Sequence, residues 1–491
     1  MMLSRCATGF YGAALVTLPW AGVGVLKLIT GRDWGGGLQP SWAFLAAAVL
    51  CRIVLLLQQG NRWTDSPNPL ASGLRRWWLW GTVAVLVSIF LSLAGLWLAP
   101  ASEPISTTLG RFLKQVVQLG VMAVFALWPA MWTRGADRWR WTVKLLLLGG
   151  GLQVVYSLFQ GMDYFHPLAG YAWLDGVFTS NPSILSGSGE LYLGDSFRHV
   201  PRLRGTICEP LYLGNYLLFL WPLILVPIWS AGTRRLLGGA LLLLLLATWS
   251  RGAWLGFLGQ VVLALAMISS LRGEARHLFL GFEPRKAKAV AAGLMLLLVA
   301  VPLVGLALGW EGVLFPFRRL IQTFSSHDWS NLTRLYSMQA AWRAFLLSPV
   351  LGIGWGQFGW HFPVLVDPLG LQSQFTWPVV NNFPLLVLCE TGLVGFAVFL
   401  GWGGGLVKGI SRRWMDLFMS GTDSGVSVLF QGRLLMAGAL SGVGIWLQLL
   451  TFSQYNLPHI WISLGLMMAL LTDAEFQNGQ PQSSGPGETE S

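Results

Sequence analysis

The sequence predicts an all-α, polytopic membrane protein with about 12 transmembrane helices. Of the 491 residues, 54% are hydrophobic and only 11% are charged, and the apolar residues form runs close to the bilayer-spanning length of about 20. The formal net charge of +11 lies mostly in short loops between these runs, where basic residues set orientation. There is no basic stripe with interleaved aromatic residues, and this argues against nucleic acid as a partner.

Twelve apolar segments meet or approach the length of a transmembrane helix. They are residues 8–30, 40–58, 77–99, 109–132, 140–161, 209–229, 235–250, 252–271, 288–309, 383–407, 433–452 and 455–472. Only Arg251 separates the seventh segment from the eighth, which begins with Gly252, so we expect a tight helical hairpin whose sharp turn this glycine permits. The first segment has no convincing cleavage site, and we expect it to remain in the protein as a signal anchor.

The basic residues orient these spans. With the N-terminus inside, 20 of the 32 Lys and Arg residues fall on the cytoplasmic side, nine fall outside and three lie within spans. Both termini are then cytoplasmic.

Two long loops, 162–208 and 310–382, face outward, away from the cytoplasm, in this topology. Residues 1–207 form an N-terminal part with the first five helices and the first loop. Residues 208–472 form a core with helices six to twelve and the second loop. The polar tail, 473–491, has the composition of a disordered segment.

Arginines at the outer ends of helices oppose the usual charge bias, so we expect them to serve a function. Arg251 lies at the mouth of the predicted hairpin, Arg204 precedes the sixth span, and Arg334 begins a predicted surface helix. A guanidinium group binds phosphate oxygens through a planar fork and keeps its charge at low dielectric. A lipid-linked diphosphate fits these arginines, and snorkelling to lipid headgroups is the alternative.

Glu209 falls at the first turn of the sixth span, directly before Pro210, which favours a helix start. Its carboxylate can orient a substrate or act as an acid or base beside the arginines. It can also act only as a capping carboxylate, stabilised by the helix dipole. The sequence leaves both interpretations open.

The stretch 331–347 has apolar residues at helical spacing and is predicted to lie along the membrane surface. Arg334 and Arg343, nine positions apart, fall on opposite sides of this helix. We therefore assign Arg334 to the site. For Arg343 two interpretations are open, a contact with solvent or headgroups and a contact with substrate.

Other polar residues complete the candidate set. His361 follows a glycine-rich turn and is the histidine best placed for a general base, although an interfacial histidine would give the same pattern. Arg111 and Lys114 lie one turn apart near the outer end of the fourth span, where they can extend a cationic path or snorkel. The remaining histidines and the four cysteines have no metal-ligand spacing, so no metal site is predicted.

Three motifs, in the order of the chain, resemble the O-antigen ligase/polymerase family of polytopic glycosyltransferases. They are Ser250-Arg-Gly-Ala-Trp-Leu-Gly256, Arg334 leading to Pro349-Val-Leu-Gly-Ile-Gly354, and Asn381-Asn-Phe-Pro-Leu-Leu-Val-Leu-Cys-Glu-Thr-Gly-Leu-Val-Gly395. The resemblance covers residues 200–400, and it is the combination of motifs that makes it specific.

The resemblance implies a GT-C-like enzyme of the bacterial inner membrane that works at the periplasmic face, where both long loops would lie. Its donor would be a glycan on undecaprenyl diphosphate, its acceptor another glycan or the lipid A core, and membrane lipids would surround it. The reaction would invert the anomeric carbon and expel the lipid diphosphate without a metal, nucleotide sugar or other cofactor. Arg204, Arg251 and Arg334 carry over as the catalytic arginines.

The chain departs from the family pattern at two places. Asn381-Asn382 stands where the family pattern usually begins His-Asn, which favours a polymerase or a divergent ligase unless His361 substitutes. Glu209-Pro210 stands where Asn-Pro is common, a feature that we associate with exopolysaccharide polymerases. We assign Asn381, Asn382 and Glu390 to substrate binding.

Two other classes of function are open at this point. A transporter of polysaccharide or of a small anion such as bicarbonate would also be polytopic, but transporters carry inverted repeats and broken helices near the midplane. Here the charge gathers at the outer surface instead. A scaffold for envelope assembly would need no arginine cluster.

Overall fold

The computed structural model describes residues 2–32, 37–58, 73–100, 104–181, 202–207, 209–271, 329–370, 377–419 and 426–472. All regular structure in these ranges is helical, in agreement with the predicted all-α class. The predicted span 288–309, residues 310–328 and 371–376 of the loop 310–382, and the tail 473–491 lie outside the described residues.

Fifteen α-helices, numbered here in chain order, form the described part of the chain. They are α1 (Met2–Val16), α2 (Val25–Thr30), α3 (Pro40–Gln58), α4 (Gly73–Leu91), α5 (Ile105–Trp132), α6 (Ala136–Phe165), α7 (Tyr171–Phe178), α8 (Pro210–Leu220), α9 (Ala231–Ala247), α10 (Arg251–Ser270), α11 (Trp329–Leu347), α12 (Phe358–Val366), α13 (Phe383–Met419), α14 (Val426–Leu449) and α15 (Pro458–Thr472). Short 3₁₀ segments extend α4 and α8 and precede α8.

Seven helical stretches in the described ranges are long and apolar enough to cross a membrane. They are Pro40–Gln58, Leu79–Leu98, Ile105–Trp132, Ala136–Phe165, Arg251–Ser270, Phe383–Phe418 and Val428–Leu449, and each overlaps a predicted span. Two shorter apolar helices, Pro210–Leu225 and Pro458–Thr472, fall on the sixth and twelfth predicted spans. The membrane class is therefore confirmed, whereas the number twelve remains a prediction.

The first predicted span, 8–30, is not one helix, which corrects the sequence prediction. Helix α1 ends at Val16, and a buried irregular turn separates it from α2. Polar side chains bind the freed backbone: Thr206 Oγ1 donates to the carbonyl of Pro19 (2.7 Å) and Asn181 Nδ2 donates to that of Ala21 (2.7 Å). Non-helical backbone is tolerated at membrane depth only where protein groups satisfy it in this way.

Small residues let α8, α10 and α14, the helices around the candidate site, approach one another closely. A Cβ atom at Gly214 of α8 would lie 2.6 Å from the Cβ of Ala253 in α10, and one at Gly256 would lie 2.6 Å from the backbone of Gly444 in α14. Such small-residue contacts are typical of helix packing in membranes. They bring α8, α10 and α14 together beneath the amino-terminal ends of α8 and α10.

The predicted hairpin between α9 and α10 is present, but its turn lies earlier than expected. Trp249, with a φ of 51°, reverses the chain, and Ser250 caps α10 by accepting a hydrogen bond from the amide of Ala253 (3.3 Å). Gly252 lies inside the helix, where a Cβ would collide with Thr451 Oγ1. Its small size thus serves packing and not the reversal.

Candidate active site

Arg202 lies against the hairpin that carries Arg251. The amide of Leu203 donates to the carbonyl of Ala247 (3.1 Å), and Arg202 Nε donates to the carbonyl of Thr248 (3.4 Å). The extended segment before α8 therefore runs alongside the turn between α9 and α10. The charges of Arg202 and Arg251 interact as a result.

Arg334 and Glu209 complete this cluster, which we call the arginine site (Arg202, Glu209, Arg251 and Arg334). Arg202 interacts electrostatically with the three other members, and Glu209 interacts with Arg202 and Arg334. Glu209 is the residue before α8, Arg251 is the first residue of α10, and Arg334 lies in α11. Arg202 and Glu209 both lie on the segment before α8, so the site joins three separate segments of the chain.

The protonation of Glu209 is set by opposing effects. Burial raises the pKa of its carboxyl group above the ordinary value, and this outweighs a hydrogen bond from Tyr212 and the nearby charges of Arg202 and Arg334, which lower it. Tyr212 lies one turn into α8, and its hydroxyl donates to the Glu209 carboxylate. A carboxyl group with a raised pKa is a better proton acceptor than an exposed one.

The positive charges of the three arginines in the site repel one another. Burial lowers the pKa of the Arg202 guanidinium, and Arg334 and Arg251 lower it further, while Glu209 raises it. When Glu209 is ionised, the four side chains carry two positive charges in excess. Such a group favours an anion with more than one charge, and guanidinium forks suit phosphate oxygens.

Arg204, which the sequence placed among the catalytic arginines, is engaged elsewhere. It is 3% exposed, and its Nη2 lies 2.7 and 2.6 Å from the two carboxylate oxygens of Asp175. The hydroxyls of Tyr156 and Tyr171 also donate to Asp175 (2.6 and 3.2 Å). This pair fastens α7 to the segment before α8, and it is Arg202, two residues earlier, that lies beside Arg251.

The two asparagines of the third motif brace the site. The side-chain amide of Asn381 donates to Ser337 Oγ (3.2 Å), and Ser337 Oγ donates to the carbonyl of Arg334 (2.9 Å). Asn382 caps α13 by accepting from the amide of Leu385 (2.9 Å). Asn381 thus supports the turn of α11 that presents Arg334.

Glu390 and Arg111 meet in a second polar cluster. Glu390 is buried and accepts from the amides of Gly356 (2.8 Å) and Phe358 (3.0 Å). Arg111 Nε donates to the carbonyl of Gly356 (2.7 Å), and the guanidinium stacks on Trp377 at 3.4 Å. The glycine-rich turn between α11 and α12 therefore binds the protein's own carboxylate.

Two basic residues of the predicted set lie at the surface. Lys114 is exposed although it is one turn from Arg111. Arg343 is also exposed, and its Nη1 donates to the carbonyl of Leu365 (2.6 Å), near the carboxyl end of α12. Cations are favoured at that end of a helix dipole.

His361 is buried on α12, with 3% of its surface exposed. Burial lowers the pKa of its imidazole to about 4, so the ring is neutral at pH 7. Its Nε2 finds no hydrogen-bond partner among the residues that the structure describes. An imidazole with this pKa is a weak base, so Glu209 is better suited to accept a proton.

The chain was also compared with known proteins. Residues 236–400, about a third of the chain, match the O-antigen ligase family, Wzy_C. This match includes Arg251, Arg334 and Glu390, whereas Arg202 and Glu209 precede it. No curated protein matches the chain. The family match over this part of the chain, together with the membrane-spanning helices, supports an assignment to the O-antigen ligase/polymerase family.

Proposed function

We propose that this protein transfers a glycan from a lipid diphosphate to an acceptor hydroxyl at the periplasmic face of the inner membrane. One observation carries the proposal: Arg202, Arg251 and Arg334 converge beside Glu209. The O-antigen ligase match supports the substrate class, since that family implies glycan and lipid-linked substrates. Undecaprenyl diphosphate is the carrier that we expect.

The arginines serve the leaving group. As the bond between the anomeric carbon and the diphosphate oxygen breaks, negative charge grows on the lipid diphosphate. Pre-positioned positive groups in a partly buried site stabilise such charge strongly, because they need no reorganisation during the reaction. They supply this charge themselves, so the proposed reaction calls for neither a metal ion nor a nucleotide.

Glu209 serves the acceptor. Its carboxylate takes the proton of the acceptor hydroxyl while the oxygen forms a bond to the anomeric carbon from the face opposite the diphosphate. The configuration at that carbon is inverted in one step. The raised pKa of Glu209, caused by burial, favours this proton transfer.

Asn381 bears on the choice between ligase and polymerase. It occupies the motif position where ligases of the family are expected to have a histidine, and here it braces Ser337 and, through it, the carbonyl of Arg334. We therefore favour a polymerase that extends a lipid-linked repeat over a ligase that uses the lipid A core. An assay that offers both acceptors to the purified protein tests this directly.

Reconstitution in liposomes tests the function. Purified protein with an undecaprenyl-diphosphate-linked oligosaccharide should lengthen the glycan, and Arg251→Ala should abolish most of this activity. Arg235→Gln is the matched control, because Arg235 is an exposed arginine of the same hairpin. Full activity in Arg251→Ala, with wild-type product length, contradicts the proposal.

A further inference from the structure

A chain of buried amide and imidazole groups lies beneath the arginine site. His459 Nε2 lies 2.8 Å from Asn215 Oδ1, and Asn215 Nδ2 donates to Gln448 Oε1 (3.1 Å). Gln448 Nε2 in turn donates to the carbonyl of Leu211 (2.9 Å). Asn215 and Gln448 are fully buried, and both ends of the Gln448 amide have partners.

Gln448 contacts α8 and α10, the two helices whose amino-terminal ends carry Glu209 and Arg251. Leu211, which receives its hydrogen bond, is two residues after Glu209. Gly252, the residue after Arg251, packs against the side chain of Gln448, where an added Cβ would lie 3.3 Å from Gln448 Cγ. One side chain therefore sets the spacing between the amino-terminal ends of α8 and α10.

The same end of α14 also reaches the segment that supports Arg334. Thr451 Oγ1 donates to the carbonyl of Gln448 (2.7 Å), and the side chain of Asn382 donates to the carbonyl of Leu450 (3.1 Å). Asn381, the preceding residue, donates to Ser337 Oγ of α11. The carboxyl end of α14 thus contacts α8 and α10 directly, and it is connected to α11 through the adjacent pair Asn381 and Asn382.

We propose that Gln448 is a positioning residue that holds Glu209 and Arg251 at their working separation. The inference rests on the proposed transfer reaction. Gln448 contacts neither substrate nor reacting atoms in this account, and it acts through the first turns of α8 and α10. Because a displacement of about 1 Å at a reacting group can lower a rate roughly 100-fold, loss of this spacer should reduce kcat far more than stability alone explains.

Gln260 provides a matched control within the same three helices. Its Nε2 donates to the carbonyls of Leu218 in α8 (2.7 Å) and Leu440 in α14 (3.1 Å), and it too is fully buried. It therefore links α8, α10 and α14 as Gln448 does, but about two turns further from the arginine site. Gln260→Leu and Gln448→Leu each remove a buried side-chain amide that makes two hydrogen bonds between these helices.

The test compares the two variants in the liposome assay, together with their melting temperatures. We expect Gln448→Leu to lower kcat about 100-fold and to shift the acid limb of the pH profile, because Glu209 moves relative to the arginines. Gln260→Leu should lower the melting temperature similarly but keep the wild-type pH profile. If Gln448→Leu does not fold, Gln448→Met, which keeps an unbranched side chain of similar length, is used with the same expectations.

The inference is overturned if the Gln448 variant and Gln260→Leu give equal changes in kcat with an unchanged pH profile. Arg251→Ala in the same assay separates this outcome from a failure of the proposed function. If Arg251→Ala is inactive and the Gln448 variant behaves like Gln260→Leu, only the positioning role of Gln448 is refuted. If Arg251→Ala is fully active, the proposed transfer reaction itself is refuted.

Discussion

Arg202 lies within electrostatic reach of Arg251, on the extended segment that runs along the α9–α10 hairpin. Two arginines with a third, Arg334, around a single carboxylate repel one another unless an anion joins them. A diphosphate supplies that anion and is also the leaving group of the proposed reaction. The cluster therefore links binding of the donor to chemistry at the same place.

Replacement of Arg202 and Arg204 should separate catalysis from folding. We expect Arg202→Gln to lower the transfer rate about 100-fold, the scale seen when one charge-stabilising group is removed, with little change in melting temperature. Arg204→Gln should instead destabilise the fold by about 3 kcal/mol, because the Asp175 carboxylate loses the buried cation with which it is paired. Rates in liposomes and melting temperatures in detergent measure the two effects, and the reverse pattern would refute the assignment.

The dependence of activity on pH should follow the ionisation of the Glu209 carboxyl group. Transfer requires its ionised form, so activity should rise with pH through the Glu209 pKa, which burial raises above its ordinary value of 4.5. The acid limb of kcat should therefore lie above that value, and Glu209→Gln should remove this limb together with most of the activity. A wild-type limb that persists in Glu209→Gln would show that another group accepts the proton.

Two glycines of the hairpin should respond differently to a methyl group. Gly252→Ala forces a Cβ against Thr451 and Gln448, so Arg251 should shift and activity should fall. Gly239 in α9 has no described atom within 4 Å of the added Cβ, so Gly239→Ala should retain activity and stabilise the helix by about 0.5–1 kcal/mol. Expression, melting temperature and transfer rate of both variants give the comparison.

Replacement of His361 should have a smaller effect than replacement of Glu209. The histidine is neutral and buried, with a pKa lowered to about 4, so it contributes little basicity at pH 7. We expect His361→Gln to reduce transfer less than Glu209→Gln and to leave the pH profile between 6 and 8 unchanged, since the ring is already neutral there. A loss of activity equal to that of Glu209→Gln, in a protein of normal stability, would make His361 the base instead.

Apolar runs near the bilayer-spanning length predicted the overlapping helical stretches well, because hydrophobicity and helix length are local properties. The prediction of a single helix over 8–30 was wrong for a physical reason. Pro19, Gly22 and Gly24 interrupt the helix without lowering its hydropathy, and the side chains that stabilise the break, Thr206 and Asn181, come from distant segments.

The candidate site was predictable only in part. Residue type and position at helix ends singled out Arg251, Arg334 and Glu209, and all three interact electrostatically with Arg202 in the structure. Their catalytic roles stay predictions. The sequence could not distinguish Arg202 from Arg204, since the choice depends on the contact between Arg204 and Asp175, which no local pattern indicates. The buried link through Gln448 is also a long-range contact, without a motif of its own.

Binding of the donor headgroup tests the central claim most directly. Affinities of the purified protein for undecaprenyl diphosphate and undecaprenyl monophosphate would be measured for wild type and for single Arg→Gln variants at Arg202, Arg251 and Arg334, with Arg235→Gln as the control. We predict that the wild-type protein binds undecaprenyl diphosphate more tightly than undecaprenyl monophosphate. Each site variant should bind the diphosphate more weakly and should show a smaller difference between the two affinities, whereas Arg235→Gln should match the wild type in both. Equal affinity for the two lipids, or diphosphate binding that survives all three substitutions, would contradict a diphosphate site built from these arginines.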